Sequence, residues 1–141
     1  MVTINPPDFS SRLILDNNHH QLALLGKWVQ DFANRCRLSE QSSFNLALVL
    51  TEAVTNVMDH AGQLEGKIEV SCRLQHGCIL AEIIDEGAPF DSTVYKPALI
   101  PEKLEDATPG GLGIHLMRSY ANDMQYRREN DCNILRLSLP I

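Results

Sequence analysis

Residues 46–60 read LALVLTEAVTNVMDH, a stretch without glycine or proline. At about 100° per residue, Leu46, Ala47, Leu50, Ala53, Val54, Val57 and, just beyond, Ala61 gather on one side. The pattern predicts an amphipathic helix laid on a core. Glu52 and Asn56 stand on the other side, one turn apart and pointing the same way, with Thr55, Asp59 and His60 beside them. Polar groups on the outer face of a helix are ordinarily only solvated. These acquire chemical meaning from two stretches later in the chain.

Working outward, Ser39 before Glu40 is an N-cap signal, so the helix is predicted over Glu40 to His60, with Gly62 as its stop. Upstream, Arg12 to Leu15 reads as a short opening strand whose free edge offers a route to a dimer. From Asn18 the period turns helical through Leu22, Leu25, Trp28 or Val29, Phe32 and Cys36, with Asn17 or Asn18 as cap. His19 and His20 are adjacent, point in different directions and read as exposed neighbours of that cap. Downstream, Ile68, Val70, Cys72 and Leu74 alternate, His76-Gly77 makes a tight turn, and Cys78 to Ile84 returns as a strand apolar on both faces. Such a strand is expected near the middle of a covered sheet. Gly111 to Ala121 reads as a third helix, and Met124–Glu129 with Ile134–Leu139 as a closing hairpin turned at Asn130-Asp131, with Leu135, Leu137 and Leu139 on one face. The sum is an α+β fold, a two-layer α/β sandwich with a mixed, mainly antiparallel sheet and about three helices on one face.

Both of the later stretches carry chemistry. In Ile83 to Phe90, IIDEGAPF, an apolar strand delivers Asp85 and then Gly87. A carboxylate at a strand end can accept a hydrogen bond from the exocyclic amine of a base. In Pro109 to Met117, PGGLGIHLM, a glycine cluster opens a helix, where backbone amides and the positive helix end can approach phosphates. Between them, residues 86–110 show no period and carry Pro89, Pro97, Pro101 and Pro109. A connection so much longer than the usual four to six residues or so reads as a lid.

In the order E-x-x-x-N, D-x-G-x-P-F and G-G-L-G-I, the chain from about Ser11 onward resembles the nucleotide-binding module of gyrase B, the heat-shock chaperone of about ninety kilodaltons, histidine kinases and MutL (the GHKL, or HATPase, superfamily with its Bergerat-type ATP-binding fold). The spacing and the run GGLGIHLMRSYAND look most like the anti-sigma factor serine/threonine kinases typified by RsbW and SpoIIAB. The resemblance implies ATP and Mg²⁺ as cofactors, Glu52 as catalytic base and Asn56 on Mg²⁺. It implies Asp85 and Gly87, with Ala88, Pro89 and Phe90, at adenine, and Gly110, Gly111, Leu112, Gly113 and Ile114 near the phosphates. Asp59 and His60 are added as either the rim of the nucleotide pocket or plain surface. The chemistry of the residues agrees: Asn56 offers Mg²⁺ a neutral oxygen, and Glu52 one turn earlier can take a hydroxyl proton.

Two departures stand out. Many relatives carry an Arg just before the second glycine cluster, where this chain has Ala107, Thr108 and Pro109. The superfamily often has a Thr early in the last strand, beside the adenine-binding Asp, where the nearest residues here are Cys132 and Asn133.

The bulk properties agree with one domain over residues 1–141: 44% hydrophobic residues suffice for a single core. A net charge of −6 provides no basic footprint for nucleic acid. No apolar run can cross a bilayer and the N-terminus lacks signal-peptide character, so a cytoplasmic protein without a membrane partner is expected. The four cysteines form no C-x-x-C pair and are expected as buried thiols; no zinc site is expected.

The function implied is a protein serine/threonine kinase of a partner-switching system. It phosphorylates a small STAS-domain anti-anti-sigma protein, sequesters a sigma factor or other regulated protein, and forms a homodimer. The alternative is a nucleotide-gated binding module without efficient turnover; the absent lid Arg favours it and the retained Glu52 opposes it. The catalytic half of a histidine kinase is disfavoured because no helical segment with a phosphoaccepting His is present, and a gyrase-type motor because the chain is short.

Overall fold

The computed structural model describes residues 9–60, 66–93 and 117–141. The helix stop at Gly62, most of the lid, the glycine cluster and the start of the third helix lie outside them. Five strands form one sheet: β1 (Ser10–Asp16), β2 (Lys67–Gln75), β3 (Cys78–Asp85), β4 (Asp123–Glu129) and β5 (Cys132–Pro140), in the order β1-β2-β3-β5-β4. All four pairings are antiparallel, so the parallel component allowed by the sequence reading is not found among them. A 3-10 turn (His19–Gln21) leads into α1 (Leu22–Arg35), and α2 (Glu40–His60) follows; residues 117–120 are helical.

Period-two alternation sorts each strand. Ile68, Val70 and Cys72 of β2, Ile79, Ala81 and Ile83 of β3, and Leu135, Leu137 and Leu139 of β5 are buried beneath the helices. They meet Leu25, Val29 and Phe32 of α1 and Leu46, Val49, Leu50, Ala53 and Val54 of α2. β3 is indeed the central strand, but its second face is half-buried rather than covered. Cys78, Leu80, Glu82 and Ile84 occupy that face, so its apolar members are shielded only in part.

Local chemistry fixes the connections. Both hairpins turn through two residues with positive φ, His76 (50°) with Gly77 (73°) and Asn130 (52°) with Asp131 (61°), the backbone that matches strand twist. Asn18 Oδ1 accepts from the His20 N–H at 2.9 Å, so the predicted cap closes a 3-10 turn before α1 begins. Trp28 Nε1 donates to Ser11 Oγ at 2.9 Å and ties α1 to β1. α1 ends in a Schellman motif: Leu38 N–H reaches Ala33 O at 3.0 Å and Arg37 N–H reaches Asn34 O at 3.2 Å, with Arg37 left-handed (φ 54°). Ser39 Oγ accepts from Ser42 N–H at 3.1 Å, the predicted cap of α2.

All four cysteines are free thiols, but only Cys72 is buried; Cys36, Cys78 and Cys132 are half-buried. Burial pushes the Cys72 thiol far above its ordinary range, with Cys36 adding a smaller push. Cys72 stands opposite Ala81, not Cys78, in the hairpin register.

Candidate functional site

The site lies where α2 crosses the end of the central strands. Asp85, the last residue of β3, is opposite Asn133 of β5 and only 5% exposed. Its Oδ2 accepts the Gly87 N–H at 2.9 Å, an Asx turn that bends the chain out of the sheet, and Asn133 Nδ2 at 3.1 Å. Asp85 lines a cavity with Asn56, Ala53 and Val57 above it. Ile83, Leu135 and Asn133 supply the sheet side, and Phe90 and Ser92 complete the lining.

Asn56 departs from the sequence expectation. It is 3% exposed rather than on the solvated face. The reason is angular: Asn56 is a heptad from Val49, and an ideal helix drifts only about 20° per heptad, so both project into the core. Its Nδ2 has no hydrogen-bond partner among the described residues. A buried amide hydrogen left unmade costs about 1–3 kcal/mol, and a polar ligand in the cavity is one means of recovering it. Glu52, one turn back, is half-buried, and its carboxyl is raised above the usual carboxylate range by burial first and by the negative charge of Asp59 second.

Other expected residues divide. Gly87 is buried and its carbonyl accepts from Arg128 at 2.7 Å, while Ala88 O accepts from Asn133 Nδ2 at 2.8 Å. Pro89 is exposed. Asp59 and His60 are exposed and do not line the cavity: Asp59 pairs with His19 Nε2 at 3.0 Å, and the His60 ring stacks on Phe90 at 5.0 Å and 16°. His60 therefore backs a wall residue instead of facing the cavity. Gly110, Gly111, Leu112, Gly113 and Ile114 lie outside the described residues. Beside that segment, Arg118 donates to the Thr93 carbonyl and joins its two described flanks.

Sequence reasoning did not assign site roles to Ser92, Tyr126, Arg128 and Asn133. Asn133 carried a readable signal, since it shares the strand face of Leu135, Leu137 and Leu139 and a polar residue at a core position needs partners. Ser92, Tyr126 and Arg128 showed none.

No cluster of three or more His, Cys, Asp or Glu able to hold a metal occurs among the described residues. The donor set fits Mg²⁺ in its usual manner, one or two protein oxygens with phosphate and water completing the shell. Asn56 would be the candidate through its carboxamide oxygen, while its unpartnered Nδ2 is a hydrogen donor suited to a ligand oxygen rather than to the metal.

The profile of the histidine kinase-like ATPase domain matches residues 15–139. The chain belongs to that family. It is 32% identical over 114 residues to the serine/threonine-protein kinase BtrW of Bordetella bronchiseptica, covering 79% of this chain and 80% of that one. It is 26% identical to the serine-protein kinase RsbW of Halalkalibacterium halodurans, covering 72% of this chain and 65% of the relative. The RsbU and RsbW domains of Rv1364c from Mycobacterium tuberculosis superpose with a TM-score of 0.68 at 12% identity, over 93% of this chain and 32% of that one, which shows the shared fold. Within the family the chain stands with serine/threonine protein kinases of the BtrW and RsbW kind, in an ATP-binding class. Among the described residues no helix is long and apolar enough to cross a membrane.

Proposed function

We propose that the protein transfers the γ-phosphate of ATP to a serine or threonine of a small STAS-type antagonist, and that exchange of partners lets it sequester a sigma factor or comparable regulator. The observation that carries the reading is one cavity bounded by a buried carboxylate, Asp85, and a buried carboxamide with an unmade hydrogen bond, Asn56, with the raised carboxyl of Glu52 one turn away. In this reading Asp85 accepts the adenine amine and Asn56 gives its oxygen to Mg²⁺, whose chemistry is neutralisation of phosphate charge. Glu52 accepts the hydroxyl proton as the substrate oxygen bonds to the γ-phosphorus and the bond to the β-phosphate oxygen breaks, releasing ADP. A carboxyl raised above its ordinary range is the better base, because Brønsted efficiency increases with pKa while the group stays ionised near neutrality.

The names of the relatives support a kinase; the antagonist, the sequestered factor and a homodimer are the part of the proposal that rests on the motif resemblance alone. The test is transfer from radiolabelled ATP with Mg²⁺ to the antagonist-like protein encoded nearest the gene, wild type beside Glu52→Ala. Label on a Ser or Thr only with Glu52 intact is expected. ATP binding and partner association without label would replace the kinase by a nucleotide-gated binding module, and equal transfer by the variant would remove Glu52 as base.

A further inference from the structure

Asn133 is 4% exposed, and its carboxamide is engaged at both ends. Its Oδ1 accepts from the Tyr126 hydroxyl at 2.6 Å, the Arg128 guanidinium at 3.2 Å and the Phe90 N–H at 3.3 Å. Its Nδ2 donates to Ala88 O at 2.8 Å and to Asp85 Oδ2 at 3.1 Å. Exchanging the two ends would set an NH₂ against three donors and an oxygen against two acceptors, so the network fixes which end faces Asp85.

The consequence falls on the carboxylate. Two N–H groups, Gly87 N and Asn133 Nδ2, donate to Oδ2 of Asp85, and neither can turn into an acceptor. Oδ2 is committed, and Oδ1 is the oxygen with which Asp85 can accept from a ligand. A ligand edge that donates there is favoured; one that presents its own oxygen meets a lone pair.

We propose that Asn133 is the positioning residue for base selection: by fixing the rotation of the Asp85 carboxylate so that Oδ1 is left for the ligand, and by holding the 87–90 turn with it, it makes the site prefer a 6-amino purine to a 6-oxo purine. This role rests on the reading of the cavity as the base end of the nucleotide site. Asn133 does not itself need to touch the base. Tyr126 and Arg128 act one step further out, by holding the amide in its orientation; Arg128 also grips Gly87 O.

The test is equilibrium binding of ATP and of inosine triphosphate to the full chain, in wild type, Asn133→Leu and Tyr126→Phe, which separates base selection from phosphate transfer. Leucine keeps the volume but cannot donate to Asp85, whose carboxylate is then free to rotate away from the ligand. One hydrogen bond to a charged group corresponds to about tenfold or more in affinity, so ATP binding should weaken about tenfold in Asn133→Leu while inosine triphosphate changes little, and the preference should narrow by the same factor. Tyr126→Phe leaves Asn133 in place and should narrow the preference by about twofold to tenfold, the range of a neutral hydrogen bond. Should Asn133→Leu fail to fold by circular dichroism, the tyrosine variant decides. Equal weakening of both nucleotides, or an unchanged preference in both variants, would overturn the role and leave a structural one. Wild type that binds no ATP would overturn the nucleotide reading together with it, whereas normal ATP binding with an unchanged preference overturns the positioning role alone.

Discussion

Single atoms decide the behaviour of the cavity. Consider Asp85→Asn. The Gly87 N–H and Asn133 Nδ2 both donate toward the position of Oδ2, so the new amide must turn its oxygen to them and its NH₂ to the side where a ligand is met. A donor would then oppose the adenine amine, itself a donor. The expected loss in ATP affinity is therefore greater than that of a missing contact, about tenfold to a hundredfold or more, and titration of ATP into the variant measures it. Glu52 yields a second prediction. Its carboxyl is raised by burial and, less, by Asp59, and only the ionised form can take a proton, so the acid limb of transfer should lie above the ordinary carboxylate range. Asp59→Asn removes the second cause while leaving burial, and should move the acid limb to lower pH without abolishing transfer. A rate profile across pH that does not move would remove Asp59 from the electrostatics of the base.

At the scale of elements, what the sequence made legible was periodicity and punctuation. Both hairpin turns, the Ser39 cap and the core face of β5 were readable because each rests on residues adjacent in the chain. Less legible was anything that depends on a neighbour's position. Asn56 is polar and so reads as a wet-face residue, yet its heptad relation to Val49 turns it into the core. The network around Asn133 joins residues more than forty positions apart: its place on an apolar strand face signals a need for partners, and nothing in the chain says which they are. The end of α1 shows how local rules are broken at a cost. Arg37 occupies the left-handed position of the Schellman motif, a conformation that costs a side-chain-bearing residue about 1–2 kcal/mol. Arg37→Gly relieves that strain and returns part of the gain as unfolded-state entropy, so urea denaturation should show stabilisation of about 0.5–1 kcal/mol.

For the whole molecule the decisive arrangement is that one face of the sheet carries the helices and the site sits inside the join. Asn56 comes from α2, Asp85 from β3 and Asn133 from β5, so a ligand that satisfies the cavity bridges both layers. Binding to the folded state alone must then stabilise the two-layer body as a unit. At a hundred times the dissociation constant the gain is about 2.7 kcal/mol, and a domain of this size gains a few °C per kcal/mol. ATP at that ratio should raise the thermal midpoint of wild type by roughly 10 °C. Arg37→Gly changes the baseline at the end of α1, shares no partner with Asp85 among the described residues, and should show the same ATP increment on a higher starting midpoint. Asp85→Asn should begin near the wild-type midpoint and lose most of the increment at the same ATP concentration. Differential scanning calorimetry of the three proteins, with and without ATP, separates fold from site. An increment that survives in Asp85→Asn would mean that the nucleotide is held without this carboxylate, and the cavity beneath α2 would no longer be the base end of the site.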